Sequence, residues 1–394
     1  MNLRDRLADM IRPREARALT LRSLGLAPAL SSAGVSINTT SAQQVAAVSA
    51  AVDLIASQMA ALPTLVYRRD RDSSVELADH PAARLLADPN GWMTGTDLRE
   101  WLMRQVLLFG NGLAELVRDD AGAVVEMIPH PWPNVTALLV DGRRLVFDVI
   151  ETGGNLGGSG RKRRLLPGEY LHLRDQSDDG MLGVPRISRC GQAIGVALAA
   201  QEFSASYYRN GARPSGVLSL ATATGPQTLA RLRENLDAVH AGPSNAAKVL
   251  ILDSGAEFKP ISGTPEQSEL VDARRFSVEE IARVFGVPLI FLMAMSEQNY
   301  AAVARAFELL ATQTLAPWCV KLEGLLTRAL FSDEARASHN VVIDLSGLTR
   351  GDFEARWRAW KIARETNVLT PNEIREAEGY GPMAAPAMAE SANG

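Results

Sequence analysis

The sequence predicts an α+β fold, because helical and strand-like hydrophobic patterns occupy separate stretches of the chain. Before residue 110 and after residue 186, apolar residues recur at three- and four-residue steps. Across residues 113–173 the period changes to two, which is typical of strands. With 394 residues and 46% hydrophobic content, the chain is long enough for two or three packed units.

The N-terminal 40 residues form a polar, serine- and alanine-rich lead-in, which we interpret as a flexible arm. The folded part is expected to begin at Ser41, which forms a capping-box pattern with Gln44. An apolar helical stripe follows and ends at Pro63.

The elements that follow are predicted from local start and stop signals. A strand at 65–69 and a short helix opened by His80 precede a helix that is capped by Thr94 and Asp97 and stopped by Gly110. The alternating pattern then predicts strands at 113–118, 124–128, 135–140, 145–150 and 170–173.

The segment GGNLGGSGRKRR at 153–164 has the glycines of a phosphate-binding loop but lacks its Lys-Ser/Thr ending. We interpret it as a flexible hairpin tip with a solvated basic end.

Helical patterns return in the second half of the chain. A helix at 187–210 is rich in small residues, and a helix at 266–285 is stopped by Gly286 and Pro288. Between them, a mixed unit at 213–261 is expected to contain a helix at 226–240 and strands at 216–220, 249–252 and 257–260. The pattern at 300–331 predicts one long helix kinked at Pro317, because proline cannot donate the helical hydrogen bond. Two further helices are expected at 352–364 and after the capping box of Thr370 and Glu373.

The chain lacks a recognisable catalytic pattern. Its five histidines are not spaced as zinc ligands, and neither a nucleophile elbow nor a complete phosphate loop is present. We therefore expect no catalytic residue, no metal and no cofactor, and predict that the protein is not an enzyme. The net charge of -4 argues against a broadly basic nucleic-acid-binding face but leaves a neutral or mixed-charge channel open. The two cysteines, Cys190 and Cys319, suit a reducing cytoplasm.

Six short motifs follow one another along the chain: DPNGWMT at 88–94, LLFGNGLAELVRDDAG at 107–122, DGMLGVPRIS at 179–188, YYRNGARPSGVL at 207–218, EEIARVFGVP at 279–288 and TLAPW at 314–318. In this order they resemble the portal proteins of tailed bacteriophages. More narrowly, they resemble the HK-ninety-seven-type family of long-tailed phages and related gene transfer agents. Each motif alone is weak, but six in this order are strong evidence, and the resemblance as a whole runs from about residue 45 to residue 382.

The resemblance implies a ring of about twelve identical subunits at one capsid vertex. Double-stranded DNA would pass through this ring without sequence specificity during packaging and ejection. The implied partners are the major capsid protein, the terminase large subunit and the head-tail connector. The implied location is the virion or gene transfer agent particle, after assembly in the bacterial cytoplasm.

The resemblance also divides the chain into expected regions: a flexible arm at 1–40, a wing at 41–186, stem helices at 187–212 and 262–287, a clip at 213–261, a tunnel loop at 288–299, a kinked wing helix and following strand at 300–349, a helical crown at 350–381 and a disordered tail at 382–394.

Two sets of site residues follow from this division. We expect flexible, uncharged tunnel-loop side chains to line the channel, since a ring of arginines would hold DNA phosphates too tightly to let them slide. These residues are Met293, Met295, Ser296, Gln298 and Asn299. The alternative is that residues 290–292 belong to the core and the methionines fill gaps. The candidate partner-binding residues of the clip are Arg231, Arg233 and Glu234, with ordinary solvated charge as the alternative.

Two other classes of function remain open from the sequence. One is an α+β enzyme whose active site is assembled from distant residues. The other is an oligomer that associates with membranes through an amphipathic N-terminal arm containing Leu3, Leu7 and Met10. The mass of the particle separates these alternatives from a ring.

Overall fold

The computed structural model describes residues 17–18, 29–69, 74–141, 144–150, 160–209, 216–219, 227, 257–260, 266–292, 300–349, 353–378, 380–381 and 383. Helices and antiparallel strands occupy separate regions of the chain, so the predicted α+β class is confirmed.

The folded part begins earlier than Ser41. Strand β1 (Arg17–Ala18) joins a later sheet, and β2 (Ala29–Leu30) pairs with β3 (Ser36–Ile37) in a hairpin. Helix α1 (Thr39–Gln43) is capped by Asn38, whose Oδ1 accepts a 2.8 Å hydrogen bond from the Ser41 N–H. The capping box predicted at Ser41 and Gln44 was therefore wrong. Residues 29–40 contain regular structure, while the flexibility of the arm stays a prediction. Asparagine caps helices at least as well as serine, and the box it forms with Ser41 fixes the earlier start.

The predicted helices of the first part of the chain are confirmed, and two short strands lie among them. Helix α2 (Ala46–Ala61) is buried on several sides, and β4 (Thr64–Arg69), β5 (Ser74–Glu76) and α3 (Pro81–Ala87) follow it. Helix α4 (Gly95–Phe109) has the predicted Thr94–Asp97 capping box and ends at Gly110, which has a left-handed φ of +78°. The largest apolar cluster joins α2 and α4 to later helices through side chains such as Ile55, Met59, Met103, Leu107, Phe285 and Leu322.

The strand-rich region forms antiparallel sheets. Strand β6 (Asn111–Arg118) lies between β7 (Val124–His130) and β11 (Tyr170–Arg174). Strands β8 (Val135–Val140) and β9 (Arg144–Ile150) form the centre of a second sheet, with β1 and β10 (Lys162–Leu165) at its edges.

The basic end of the glycine-rich segment was predicted to be solvated. This is wrong for Arg164, whose side chain is 22% exposed, whereas the Arg163 side chain is 52% exposed. Arg164 forms a double hydrogen bond with Asp148, at 2.7 and 2.9 Å. Arg163 forms a 2.7 Å ion pair with Glu115, a carboxylate only 3% exposed. Strand β10 supplies the physical reason for Arg164, because pairing with β9 places this residue opposite Asp148. The preceding residues 151–159 lie outside the described part of the chain.

Long helices form the second half of the structure. The predicted helix at 187–210 is divided at Cys190 into α5 (Arg186–Arg189) and α6 (Gly191–Arg209). Helix α7 (Glu266–Phe285) has the predicted bounds. Between α6 and α7, strand β12 (Gly216–Ser219) pairs with β13 (Glu257–Pro260). The expected helix at 226–240, of which only residue 227 is described, and the expected strand at 249–252 lie outside the described residues.

The chain is helical from Tyr300 to Leu330, in three parts. Helix α8 (Tyr300–Leu309) continues into a π-helical segment, Leu310–Leu315, and then into α9 (Ala316–Leu330). The irregularity predicted at Pro317 is thus a widened turn placed just before the proline. Such a turn moves the preceding carbonyls and makes room for the proline ring. A bend at this point stays a prediction.

The C-terminal part contains β14 (His339–Ile343), which pairs with β4, and helices α10 (Ser346–Thr349), α11 (Phe353–Glu365) and α12 (Pro371–Ala377). The Thr370–Glu373 capping box is confirmed by a 2.6 Å bond from the Thr370 N–H to Glu373. Of the expected tail, residues 382 and 384–394 lie outside the described residues. Within the described ranges, no helix has both the length and the apolar character needed to cross a membrane.

Candidate functional site

Helix α6 leads away from the body of the protein, and α7 packs beside it and leads back. The start of α5 contacts the end of α7, so the two long helices run antiparallel. Ile281, Ala282 and Phe285 face the core, while Phe276 and Arg283 on the opposite side of α7 are exposed. This amphipathic division fits a helix that covers the body at one end only.

Arg186 holds together the end of this helix pair that joins the body of the protein. We call this end, where α5 begins and α7 finishes, the base of the pair. Its Nε donates a 2.6 Å hydrogen bond to Asp175, and its Nη1 donates a 2.6 Å hydrogen bond to the main-chain oxygen of Phe285. The guanidinium also lies 5.4 Å from the ring centroid of Trp318 in α9. Because the last carbonyls of a helix lack helical partners and carry partial negative charge, a cation at this position stabilises the end of α7.

A second cation, Lys321, lies 4.9 Å from the same Trp318 ring. Burial lowers the pKa of Lys321, and Asp175 opposes this shift. The base therefore has two cations near one tryptophan, with Asp175 almost fully buried beside Arg186. Charged hydrogen bonds of this kind are shorter and stronger than neutral ones.

A buried network of hydrogen bonds connects Asp175 to the strand-rich region. The main-chain N–H of Asp175 donates to the oxygen of Gly110 at 2.8 Å. Next to it, the side-chain amide of Asn111 donates to the Gly183 oxygen at 2.9 Å and accepts from the Gly183 N–H at 2.8 Å. His172 also donates to Asn111 through Nε2, at 2.9 Å. Burial lowers the pKa of His172 to about 3, so this ring is neutral.

Gly110 and Gly183 in this hydrogen-bond network permit their two main chains to approach closely. A Cβ at Gly183 would lie 2.0 Å from the oxygen of Gly110, well inside any real contact distance. Two motifs noted in the sequence, at 107–122 and 179–188, therefore meet at this point. The motifs at 279–288 and 314–318 meet at Arg186 through Phe285 and Trp318.

The turn after α7 is also fixed. Gly286 adopts a left-handed φ of +71°, and the Val287 N–H donates back to the Ala282 oxygen at 3.0 Å. The hydroxyl of Thr314, in the π-helical segment, donates to the oxygen of Gly286. Phe291 then packs edge to face against Phe307 of α8, with ring centroids 4.9 Å apart. The upstream side of the expected tunnel loop is thus attached both to the π-helical segment and to α8.

An open apolar groove of about 360 Å³ lies between the end of α7 and the π-helical segment. Its walls include Val287, Pro288, Leu289 and Leu309. The charged residues at its rim, Glu279 and Arg283, pair with each other at 3.2 Å. Apart from this paired carboxylate, the residues that line the groove carry no nucleophile or general base. Among the described residues, no cluster of histidine, cysteine or acidic side chains is arranged to hold a metal ion.

The site residues predicted from sequence lie outside the described residues. This applies to Met293, Met295, Ser296, Gln298 and Asn299 of the tunnel loop, and to Arg231, Arg233 and Glu234 of the clip. The structure instead identifies Arg186, Asp175, Asn111 and Thr314, none of which the sequence reasoning selected. The available signal was that three of them stand within the recognised motifs, although nothing in the sequence indicated that those motifs meet.

Comparison with known proteins agrees with this arrangement. A family model described as phage portal protein matches residues 46–379. The chain is 30% identical over 370 residues to a probable portal protein of Streptomyces phage phiC31, covering 90% of this chain and 79% of the relative. The chain belongs to the phage portal protein family. Another portal-family relative is the portal protein of Enterobacteria phage HK97, 28% identical over 88% of this chain and 81% of the relative.

Solved structures show the same portal fold. A protein from the virion of a native gene transfer agent particle matches with a TM-score of 0.61 and 24% identity, covering 91% of this chain and 96% of that chain. An HK97-family phage portal protein from Corynebacterium diphtheriae matches with a TM-score of 0.56 and 17% identity, over 78% of this chain and 96% of that chain.

One further match comes from the neck of a native gene transfer agent particle computed with C12 symmetry, with a TM-score of 0.60 and 24% identity over 92% of this chain and 97% of that chain. Portal homologues therefore occur as oligomeric rings in particles. These homologues are structural proteins of particles. The portal assignment is therefore favoured over the enzyme and membrane alternatives.

Proposed function

We propose that this portal-family chain forms a closed ring of about twelve subunits at one capsid vertex. Double-stranded DNA passes through the ring during packaging and leaves through it during ejection. The ring belongs to a virion or gene transfer agent particle and assembles in the bacterial cytoplasm. Support comes from the family match over residues 46–379 and from the twelvefold symmetry of a neck that contains a similar fold.

The observation that carries the proposal is the antiparallel pair α6 and α7, fastened at its base by Arg186. The segment after Gly286 leaves from this same base, and its upstream side is held by Thr314 and by the contact of Phe291 with Phe307. A loop attached to a rigid base keeps a defined position while a polymer moves past it. This is the property that a channel constriction requires.

We assign the expected region names to these elements. Helices α6 and α7 are the stem, residues 213–261 the clip, residues 288–299 the tunnel loop, and α11 with α12 the crown. In the tunnel loop, Met293, Met295, Ser296, Gln298 and Asn299 line the channel with uncharged, flexible side chains. DNA phosphates then meet no fixed cations, and the duplex slides.

The clip supplies the external docking surface. Arg231, Arg233 and Glu234 bind terminase during packaging and the head-tail connector afterwards, while the wing contacts the major capsid protein. The chain needs no cofactor or metal of its own, because the terminase supplies the energy for packaging.

The first test is the mass of the purified protein, combined with electron microscopy. We expect closed rings of high subunit number and no nucleotide hydrolysis. A stable monomer that turns over a small substrate would overturn the proposal.

The tunnel-loop assignment is tested by substituting Met295→Arg or Gln298→Arg and measuring packaged DNA per particle. We expect less packaged DNA at an unchanged number of rings. The matched control is Ala121→Arg, which adds the same charge at an exposed turn. Normal packaging and ejection by both loop variants would contradict the assignment.

A further inference from the structure

Strands β8 and β9 carry apolar side chains on both faces of their sheet. The inner face belongs to a buried apolar cluster that includes Ala137 and Phe147. Because side chains alternate between the two faces along a strand, Leu138, Val140 and Val146 lie on the opposite face, which we call the outer face. Antiparallel sheets commonly keep one face polar and in water. A second apolar face therefore indicates a second cover.

The three outer-face side chains are as buried as those of the inner face. Leu138 is 7% exposed, Val140 2% and Val146 1%. Among the other hydrophobic residues that the structure describes, only Leu166 packs against them. One leucine is too small to cover three side chains, so another segment supplies the rest of the cover. The burial is that of a single subunit, so this segment belongs to the same chain.

Strand β1 brings the N-terminal part of the chain to the outer face. Its register places Arg17 opposite Leu139 and Ala18 opposite Leu138. Because this pairing is antiparallel, the residues before Arg17 approach from the Val140 end of β8. The buried outer-face residues stand at that same end, where β8 turns into β9. The N-terminal segment is therefore attached directly beside the face that needs a cover.

The first residues of the chain have the pattern of an amphipathic helix. Four apolar residues fall at spacings of three, four and seven, which places them on one side of a helix, while charged residues occupy the other sides. We call these four residues the N-terminal stripe: Leu3, Leu7, Met10 and Ile11. A helix of this kind is stable only when its apolar side packs against another apolar surface.

We propose that the N-terminal stripe packs on the outer face of its own subunit. A helix over residues 3–11 is about 12 Å long. The three outer-face residues extend about 7 Å along a strand and about 5 Å across to the next, so such a helix covers them. Residues 12–16 reach up to about 17 Å when extended, which is enough to return from the helix to Arg17. The contact lies within one subunit and does not depend on the proposed ring.

Two other segments adjoin this sheet, and both suit the role less well. Residues 151–159 follow Ile150, which lies four residues beyond Val146 at the other end of β9, and they consist mainly of glycine and polar residues. Residues 19–28 follow Ala18 and leave β1 in the direction away from Val140. The N-terminal stripe alone combines an apolar pattern with the correct direction of approach.

Labelling of an added thiol, Val140→Cys, tests the proposal in the full-length protein. The native cysteines are buried, and the protein without the added thiol measures their background. We expect slow reaction of the added thiol with a maleimide. Adding Leu7→Asp is expected to make the reaction about tenfold faster or more, because a carboxylate loses its hydration on entering an apolar contact and so releases the stripe.

The matched control is Ala8→Asp, which adds the same charge beside Leu7 but on the polar side of the helix. This control is expected to leave the labelling of Val140→Cys slow. Equal acceleration by the two aspartates would overturn the proposal, and so would rapid labelling with an unchanged stripe. Circular dichroism of each variant separates release of the stripe from loss of the fold.

A third substitution, Leu21→Asp, separates the N-terminal stripe from residues 19–28. If Leu7→Asp accelerates labelling and Leu21→Asp does not, the stripe covers the outer face. If Leu21→Asp accelerates labelling and Leu7→Asp does not, the later segment covers the face and the proposal is wrong.

Flotation with vesicles of phosphatidylcholine and phosphatidylserine tests the stripe from the side of the membrane. A stripe that packs on its own subunit is not available to lipid, so we expect the wild-type protein to stay unbound. Flotation of the wild-type protein that Leu7→Asp abolishes and Ala8→Asp does not would show that the stripe binds lipid, and would overturn the proposal.

Discussion

The guanidinium of Arg186 donates a 2.6 Å hydrogen bond to the main-chain oxygen of Phe285, 99 residues further along the chain. This bond connects the start of one stem helix to the end of the other. Arg186 also pairs with the buried Asp175 and lies beside Trp318, so one side chain connects three other segments of the fold to its own.

Arg186→Ala is expected to lower the free energy of unfolding by about 3 to 5 kcal/mol, because it leaves Asp175 buried without its cation. The matched control is Arg189→Ala, three residues away, whose exposed side chain makes a single 3.3 Å bond to the Gln176 oxygen. The control is expected to change stability by about 0.5 kcal/mol or less. Chemical denaturation at equal subunit concentration measures both variants. Equal effects of the two substitutions would contradict the role given to Arg186.

Gly195 and Gly324, both inside helices, are expected to respond oppositely to alanine. A Cβ at Gly195 would lie 2.3 Å from the Cβ of Ser31 in the N-terminal hairpin, whereas a Cβ at Gly324 meets nothing within 4 Å. Gly195→Ala should therefore destabilise the protein by about 1 to 3 kcal/mol. Gly324→Ala should stabilise it by about 0.5 to 1 kcal/mol through helix propensity.

Thermal or chemical unfolding of the two glycine variants provides the measurement. Because the obstacle at Gly195 is the Ser31 side chain, adding Ser31→Gly should recover part of the loss. If Gly195→Ala proves stabilising, the close approach of the hairpin to α6 is absent in solution.

His172 is expected to make stability depend on pH. Burial lowers its pKa to about 3 from an ordinary value of 6.5, so between these values the unfolded chain binds a proton that the native protein does not. Stability from this group is complete above pH 6.5 and is lost as the pH falls towards 3. Between about pH 7 and about pH 4.5, the wild-type protein should lose about 2 kcal/mol more than His172→Gln. Parallel denaturation profiles for the two proteins would rule this out.

The two thiols are expected to be unreactive in the native protein. Burial raises the pKa of Cys190 and of Cys319 to about 12, so almost no thiolate exists at about pH 8. Alkylation with iodoacetamide should be slow until denaturant is added, and then modify both residues. Rapid labelling of either cysteine in the folded protein would show that the surrounding core opens.

The parts of the fold that depend on residues close together in the sequence were predictable from the sequence. Gly110 and Gly286 ended helices as expected, because the left-handed backbone conformation that ends a helix depends on the glycine itself. The start at Asn38 was missed because two overlapping capping patterns compete there. The pairing of Arg163 with Glu115 depends on which strands become neighbours, and no local signal specifies that.

In the functional region, too, the sequence predicted some features and missed those that depend on long-range contacts. Motif order indicated the portal family, but the meeting of Asn111 with Gly183 and of Arg186 with Phe285 joins positions 72 and 99 residues apart. Such long-range hydrogen bonds arise from packing, so a single sequence does not reveal them. The roles of the tunnel-loop and clip residues stay predictions.

The π-helical segment Leu310–Leu315 has an evolutionary consequence. A π turn accommodates one residue more than the α-helical turn it replaces. Deleting one residue there would restore regular helix and rotate Thr314 away from Gly286, with the sequences on both sides unchanged. A single deletion in this segment is therefore expected to release Gly286 from Thr314 while both residues stay unchanged.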